Sequence, residues 1–132
     1  MPFIVHWPKK IKQGQLSNNL ICLTDMMAAF ADLIAYDLDE NMGEDSFNAL
    51  PLILGEDKAI RESIIHQDYG GRLSIRKGNW KLVGKELFDI SSDLAEKKDL
   101  SGDFPQIVEE LKLLLEEQIE HKRTASGQRL KK

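Results

Sequence analysis

Ile107, Val108, Leu111, Leu114, Leu115 and Ile119 recur at helical spacing, and Glu109, Glu110, Lys112, Glu116, Glu117 and Glu120 fill the opposite face. A helix divided in this way must lie on something apolar. It is predicted to open at Asp103, where Asp103 and Gln106 have capping-box spacing and Pro105 falls in the first turn. The surface it needs is encoded just upstream. Ser63-Ile64-Ile65-His66 and Leu73-Ser74-Ile75-Arg76 favour strands, with Gly70-Gly71 between them as a hairpin signal. Gly78-Asn79 separates the second run from Trp80-Lys81-Leu82-Val83, and a short strand over Glu86 to Ile90 follows the turn at Gly84-Lys85. The economical reading is a meander of three to four antiparallel strands covered by the last helix.

The first part of the chain reads differently. Pro2 to Trp7 is a short apolar run closed by Pro8, which suits a buried strand and a turn. Lys9, Lys10 and Lys12 line an exposed loop ending at Gly14. Met26, Met27, Phe30, Leu33 and Ile34 predict a helix from about Thr24 to Ala35, with Thr24 as N-cap and Asp25 in its first turn. Tyr36 to Ser46 is an acidic loop, and Phe47 to Leu54, containing Pro51, is a short helical turn. The fold class is therefore α+β: a small antiparallel sheet with a C-terminal helix packed on it, preceded by a strand-helix segment. Residues 1–56 make that segment, 57–120 the sheet-and-helix subdomain, and 121–132 a basic disordered tail.

Charge narrows the partners. Over 132 residues, 18 Lys plus Arg stand against 22 Asp plus Glu, a formal net charge of −4. Lys122, Arg123, Arg129, Lys131 and Lys132 lie in the acid-free tail, so the body is more acidic still. Such a body repels phosphate backbones, and no nucleic-acid partner is expected. The longest apolar runs fall far short of the roughly 20 residues of a membrane span, and no leader pattern opens the chain. Membrane insertion and secretion by a signal of its own are not expected. A chain of this length buries roughly two-thirds of its unfolded surface without needing staples.

Few residues are arranged for chemistry. Cys22, the single cysteine, sits among Leu20, Ile21 and Leu23 and reads as a buried small hydrophobe. Asp37, Asp39, Asn41 and Gly43 alternate like calcium ligands. An EF-hand loop, however, needs glycine where Met42 stands and a bidentate glutamate where Asn48 stands. His6, His66 and His121 have no zinc spacing. His6 reads as a satisfied structural residue and His121 as solvated. His66, followed by Gln67, Asp68 and Tyr69, concentrates donors and acceptors at a hairpin mouth, the kind of loop position where ligand contacts gather. No nucleophile elbow, dinucleotide fingerprint or phosphate loop is present.

In order along the chain, several motifs resemble type I sulfatases. Pro2-Phe3-Ile4-Val5-His6-Trp7-Pro8 with Lys10-Ile11-Lys12-Gln13-Gly14, then Leu23-Thr24-Asp25, is similar to the family's Val-Pro-Phe-Ile-Val-Arg-Trp-Pro-Gly-Lys-Ile and Leu-Thr-Asp. Glu44-Asp45-Ser46 with Leu50-Pro51 and Leu54-Gly55 resembles Asp-Gly-x-Ser-x-x-x-Leu-Pro-x-Leu-x-Gly. Ile75-Arg76-Lys77-Gly78-Asn79-Trp80-Lys81-Leu82, then Glu86-Leu87-Phe88-Asp89-Ile90 with Asp93, Glu96 and Leu100, resembles the family's Ile-Arg-x-Gly-x-Trp-Lys-Leu and Glu-Leu-Tyr-Asp-Leu elements. His6 departs from the family's usual arginine, Lys9 from its glycine and Leu94 from its proline.

The resemblance covers residues 2 to 120 and implies the C-terminal portion only. Members of the family use calcium and a formylglycine made from Cys or Ser in Cys/Ser-x-Pro-Ser-Arg. Cys22-Leu23-Thr24-Asp25-Met26 is not that motif, so no catalytic residue, metal ligand or cofactor is expected here. The resemblance also implies that the subdomain borders a substrate cleft, with His66 and Gln67 as substrate-binding residues. Its implied partner is the missing catalytic domain, or failing that a second copy through the N-terminal strand and helix, where Phe3, Val5, Met26, Met27 and Phe30 would otherwise be uncovered. The chain would then be a piece of a longer protein or a short reading frame opening at Met1. A freestanding binding or adaptor module, using the hairpin mouth or an apolar helix face, is the rival reading. Members of the family are typically exported.

Overall fold

A computed structural model describes residues 3–39 and 41–121, which divide into two compact units with the boundary after Arg61. The tail from residue 122 onward lies outside the described residues, as does Glu40.

The second unit is the expected meander with its helix. Strands β1 (Ser63–Gln67), β2 (Leu73–Lys77), β3 (Trp80–Val83) and β4 (Glu86–Asp89) pair antiparallel in chain order. The register sets Ile65 opposite Ile75, Ile75 opposite Leu82, and Leu82 opposite Leu87. One apolar row therefore crosses the whole sheet on one face. Helix α3 (Pro105–His121) presses Leu111 onto that row, and Ile75, Leu82, Leu87 and Leu111 form the buried core. Trp80, Ile107, Val108, Leu114 and Leu115 pack around it, with the Trp80 and Phe104 rings 5.0 Å apart. Polar contacts set the helix's position along the sheet. Lys77 Nζ meets Glu110 Oε1 at 2.7 Å, and Gln118 Nε2 donates to Ser63 Oγ at 2.9 Å.

Two-residue loops join β2 to β3 and β3 to β4. Each opens with a glycine at left-handed φ, Gly78 at 57° and Gly84 at 62°, as primed hairpin turns require. The outer edge of β4 is covered by the following loop. Leu100 N–H donates to Leu87 O, and Asp99 Oδ1 accepts from Leu87 N–H.

Details of α3 differ from the sequence reading. The helix starts at Pro105, so Phe104 occupies the cap position, its carbonyl accepting from Ile107 and Val108, and the Asp103/Gln106 capping box is out of register by one residue. Ile119 is half exposed, because the helix reaches the start of edge strand β1 at Gln118 and then has no sheet beneath it.

The first unit holds helix α1 (Asp25–Leu33) and the short helix α2 (Leu50–Ile53). Thr24 occupies the N-cap position that the sequence predicts, but its side chain makes no capping hydrogen bond. It has helical φ and ψ, and its hydroxyl donates to Asp45 O at 3.3 Å. Helix α1 ends in a Schellman arrangement, with Tyr36 N–H bonded to Ala31 O and Ala35 N–H to Asp32 O, and Ala35 at φ 55°. The strand expected over Pro2 to Trp7 does not form among the described residues. Phe3, Ile4 and Val5 are exposed, and no backbone bond pairs residues 3–6 with a neighbouring strand. An extended run without a partner edge gains nothing from its ladder groups. His6 is likewise exposed rather than buried, and Leu23 beside the half-buried Cys22 is exposed, so the core expected around the thiol is incomplete.

Candidate functional site

In an antiparallel meander the β1–β2 and β3–β4 turns share one end of the sheet. That end carries the polar hairpin mouth. Asp68 organises it: its Oδ1 accepts the Arg72 N–H at 2.9 Å, its Oδ2 accepts Arg72 Nε–H at 3.1 Å, and its carbonyl accepts Gly71 N–H. The bonds to its carboxylate, led by that from the Arg72 backbone, hold the Asp68 carboxyl below its ordinary value. Gly71, at φ 85°, makes the reversal that lets its carbonyl accept Gln67 Nε2–H at 3.2 Å.

His66 and Gln67, the two expected substrate contacts, are both exposed but project from opposite faces of the sheet, since successive strand residues alternate. Gln67 shares the side of Ile65, the α3 side. The His66 carbonyl accepts from Ser74 Oγ at 3.4 Å, and its ring belongs to the other face. Tyr69 stands at the tip with its side chain wholly in solvent. His121, the last residue of α3, is exposed, with Nδ1 2.8 Å from Glu117 O.

A second constellation was missed from the sequence. In the first unit Asp25 is fully buried and its carboxylate ties three segments together. Oδ2 accepts Cys22 N–H at 2.7 Å, while Oδ1 accepts Phe47 N–H at 3.0 Å and Arg61 Nη2–H at 2.7 Å. Arg61, also buried, donates to Asp45 O at 3.0 Å and lies 4.5 Å over the Phe47 ring. Ser46 Oγ accepts Ala28 N–H, and Asn48 bridges Asp32 to the start of α2. The Leu23-Thr24-Asp25 and Glu44-Asp45-Ser46 segments are thus joined as a structural staple. Arg61 carries no local pattern that announces burial, and only long-range pairing reveals it.

Asp25 is saturated by N–H donors, and among the described residues no group of three or more His, Cys, Asp or Glu is placed to hold a metal ion. Neither Cys-x-Pro-Ser-Arg nor Ser-x-Pro-Ser-Arg occurs in the sequence. Among the described residues, no helix is long and apolar enough to cross a membrane.

Comparison with known proteins places this architecture. The chain is 32% identical to an N-acetylgalactosamine-6-O-sulfatase of Bacteroides thetaiotaomicron over 88% of its own length and 26% of that protein. It is 34% identical to an ulvan-active sulfatase of Formosa agariphila over 67% of its length and 16% of that protein. A solved Bacteroides thetaiotaomicron structure, described under the metabolism of multiple glycosaminoglycans, superposes with a TM-score of 0.80 at 32% identity, covering 88% of this chain and 28% of that one. Ps i-CgsB, solved in complex with a neocarrahexaose, shares the fold at a TM-score of 0.70 and 23% identity, over 85% of this chain and 27% of that one. No protein-family model matches the chain. The chain spans about a quarter or less of the curated relatives it matches.

Proposed function

This chain is homologous to the C-terminal portion of sulfatases, and from that premise we propose that it is the non-catalytic C-terminal segment of a protein that hydrolyses sulfate esters. One observation carries the reading: similarity runs along 88% of the chain but only 26% of the relative, and the Cys/Ser-x-Pro-Ser-Arg nucleophile motif does not occur in this sequence. A segment of this kind works by covering and completing a catalytic domain. Its exposed apolar residues are consistent with that role. Phe3, Val5, Met27 and Phe30 all lie in the first unit, and Phe30 is 59% exposed although it belongs to the apolar stripe of α1. The occupant we assign to these residues is the catalytic portion that accounts for the remaining length of the relatives. In its absence, a second copy of this chain would cover them.

The test is the coding sequence directly upstream of Met1. An in-frame Cys/Ser-x-Pro-Ser-Arg supports the reading. A translation start at Met1 with nothing in frame upstream overturns it and favours a freestanding module. The isolated chain is expected not to turn over an aryl sulfate. Turnover that survives repurification and is lost on a point mutation within the chain would contradict the non-catalytic role.

A further inference from the structure

We propose that the first unit contains a guanidinium-binding site whose resident is the chain's own Arg61, and that filling this site, rather than the covalent connection that delivers the arginine, latches the unit closed. Asp25 Oδ1 accepts Arg61 Nη2–H at 2.7 Å, and the Asp45 carbonyl accepts from the same nitrogen at 3.0 Å. The guanidinium carbon lies 4.5 Å over the Phe47 ring. A planar cation is thus met at its end by two oxygens and on its face by an aromatic ring, which suits a flat guanidinium better than a compact ammonium. The two charged side chains are almost wholly buried, so the site is dry and its electrostatics are not screened by water.

Recognition is concentrated at the far end of the side chain. Arg61 Nε–H is buried and finds no hydrogen-bond partner among the described residues, so the nitrogen nearest the tether costs stability while the terminal one carries the bonds. A small alkylguanidinium reproduces that end. The stretch that delivers Arg61 is tied elsewhere: Glu56 N–H bonds Pro51 O and Lys58 N–H bonds Glu56 O, which holds it back toward α2. What the cation secures is the closure of two other segments. Asp25 also accepts Cys22 N–H and Phe47 N–H, and Ser46 Oγ accepts Ala28 N–H, so the residues before α1 and the Asp45–Phe47 loop converge on one carboxylate. An empty site leaves that carboxylate buried without a counter-charge, and the segments part to admit water. The site stands on this geometry whether or not the sulfatase reading holds.

The experiment uses the full 132-residue chain and reads hydrogen exchange of the Cys22, Ala28 and Phe47 amides, with Ile75 and Leu82 reporting the second unit. Arg61→Ala should lower protection of the first three amides by roughly a hundredfold. Ethylguanidinium, the group that this substitution deletes, should restore at least tenfold of it in a saturable way, with half of the effect at about 10 mM. Ethylammonium carries the charge without the plane and N-ethylurea the plane without the charge, and neither should restore it. The wild-type chain, its site filled, should show no saturable response. Arg61→Lys keeps the charge and most of the stem, and it should be protected less than the wild type and not respond to ethylguanidinium. Wild-type protection in Arg61→Ala or Arg61→Lys overturns the proposal, as does recovery with ethylammonium equal to that with ethylguanidinium. If Arg61→Ala leaves the first unit unfolded, ethylguanidinium must still refold it, and absence of recovery overturns the proposal in that case too.

Discussion

Arg61 Nη2 lies 2.7 Å from Asp25 Oδ1 across 36 residues of chain, with the two side chains 3% and 0% exposed. A buried carboxylate in this position does more than balance one cation. It receives N–H groups from the residues before α1 and from the Asp45–Phe47 loop, so its removal strands a buried guanidinium and two backbone donors together.

Asp25→Ala is therefore expected to destabilise the first unit by ~3–5 kcal/mol, because it leaves the Arg61 charge buried without its partner. Hydrogen exchange of the α1 amides reads the effect locally. The Asp25→Ala, Arg61→Met double variant should lose less than the sum of the single variants, and strict additivity would show that the two residues do not act as a pair.

Leu111 is the α3 side chain that closes the core, and Leu111→Ala should destabilise by ~2–5 kcal/mol in urea denaturation. Glu116→Ala, on the solvent face, should change stability by less than ~0.5 kcal/mol. Equal effects would mean that the helix does not pack on the sheet through this stripe.

Ala35 occupies the left-handed position that ends α1, where glycine carries no Cβ penalty. Ala35→Gly should stabilise by a few tenths to about 1 kcal/mol, relief of strain exceeding the added freedom of the unfolded chain. Ala35→Val should do the reverse. Loss of stability in the glycine variant would contradict strain at this residue.

The second unit should weaken in acid. Asp68, Asp89, Asp93 and Asp99 are all held below the ordinary aspartate value of 3.8, chiefly by N–H and hydroxyl donors: Arg72 for Asp68, Ser91 for Asp89, Lys98 for Asp93 and Ser101 for Asp99. A depressed folded-state value gives stability that is complete above the unfolded value and is lost as pH falls through the folded one. The urea midpoint should thus be level from neutral pH to just above the unfolded aspartate range and then fall. Asp99→Asn, which keeps an acceptor oxygen for the Leu87 and Ser101 N–H groups but no longer titrates, should flatten that fall. A midpoint that rises on acidification would contradict the assignment.

The second unit was legible in the sequence because its signals are local. Alternation in Ser63 to Arg76, glycines at the turns and the stripe from Ile107 to Leu115 each depend only on near neighbours, and the register follows once the turns are set. The N-terminal segment was not legible in the same way. Phe3 to Val5 has the composition of a strand, but a strand exists only where another edge accepts its backbone groups, and the described chain offers none. Tertiary structure likewise decided the side-chain bonding at the start of α1, because the Asp25 carboxylate satisfies the Cys22 and Phe47 donors and Arg61 together, while the Thr24 hydroxyl bonds Asp45. It also decided how the hairpin mouth is arranged. Adjacency in sequence joined His66 to Gln67, whereas the pleat sent them to opposite faces and left Tyr69 and Arg72 at the tip. Periodicity reports which face a residue occupies relative to its neighbours, and the partner waiting on that face is a property of the folded chain alone.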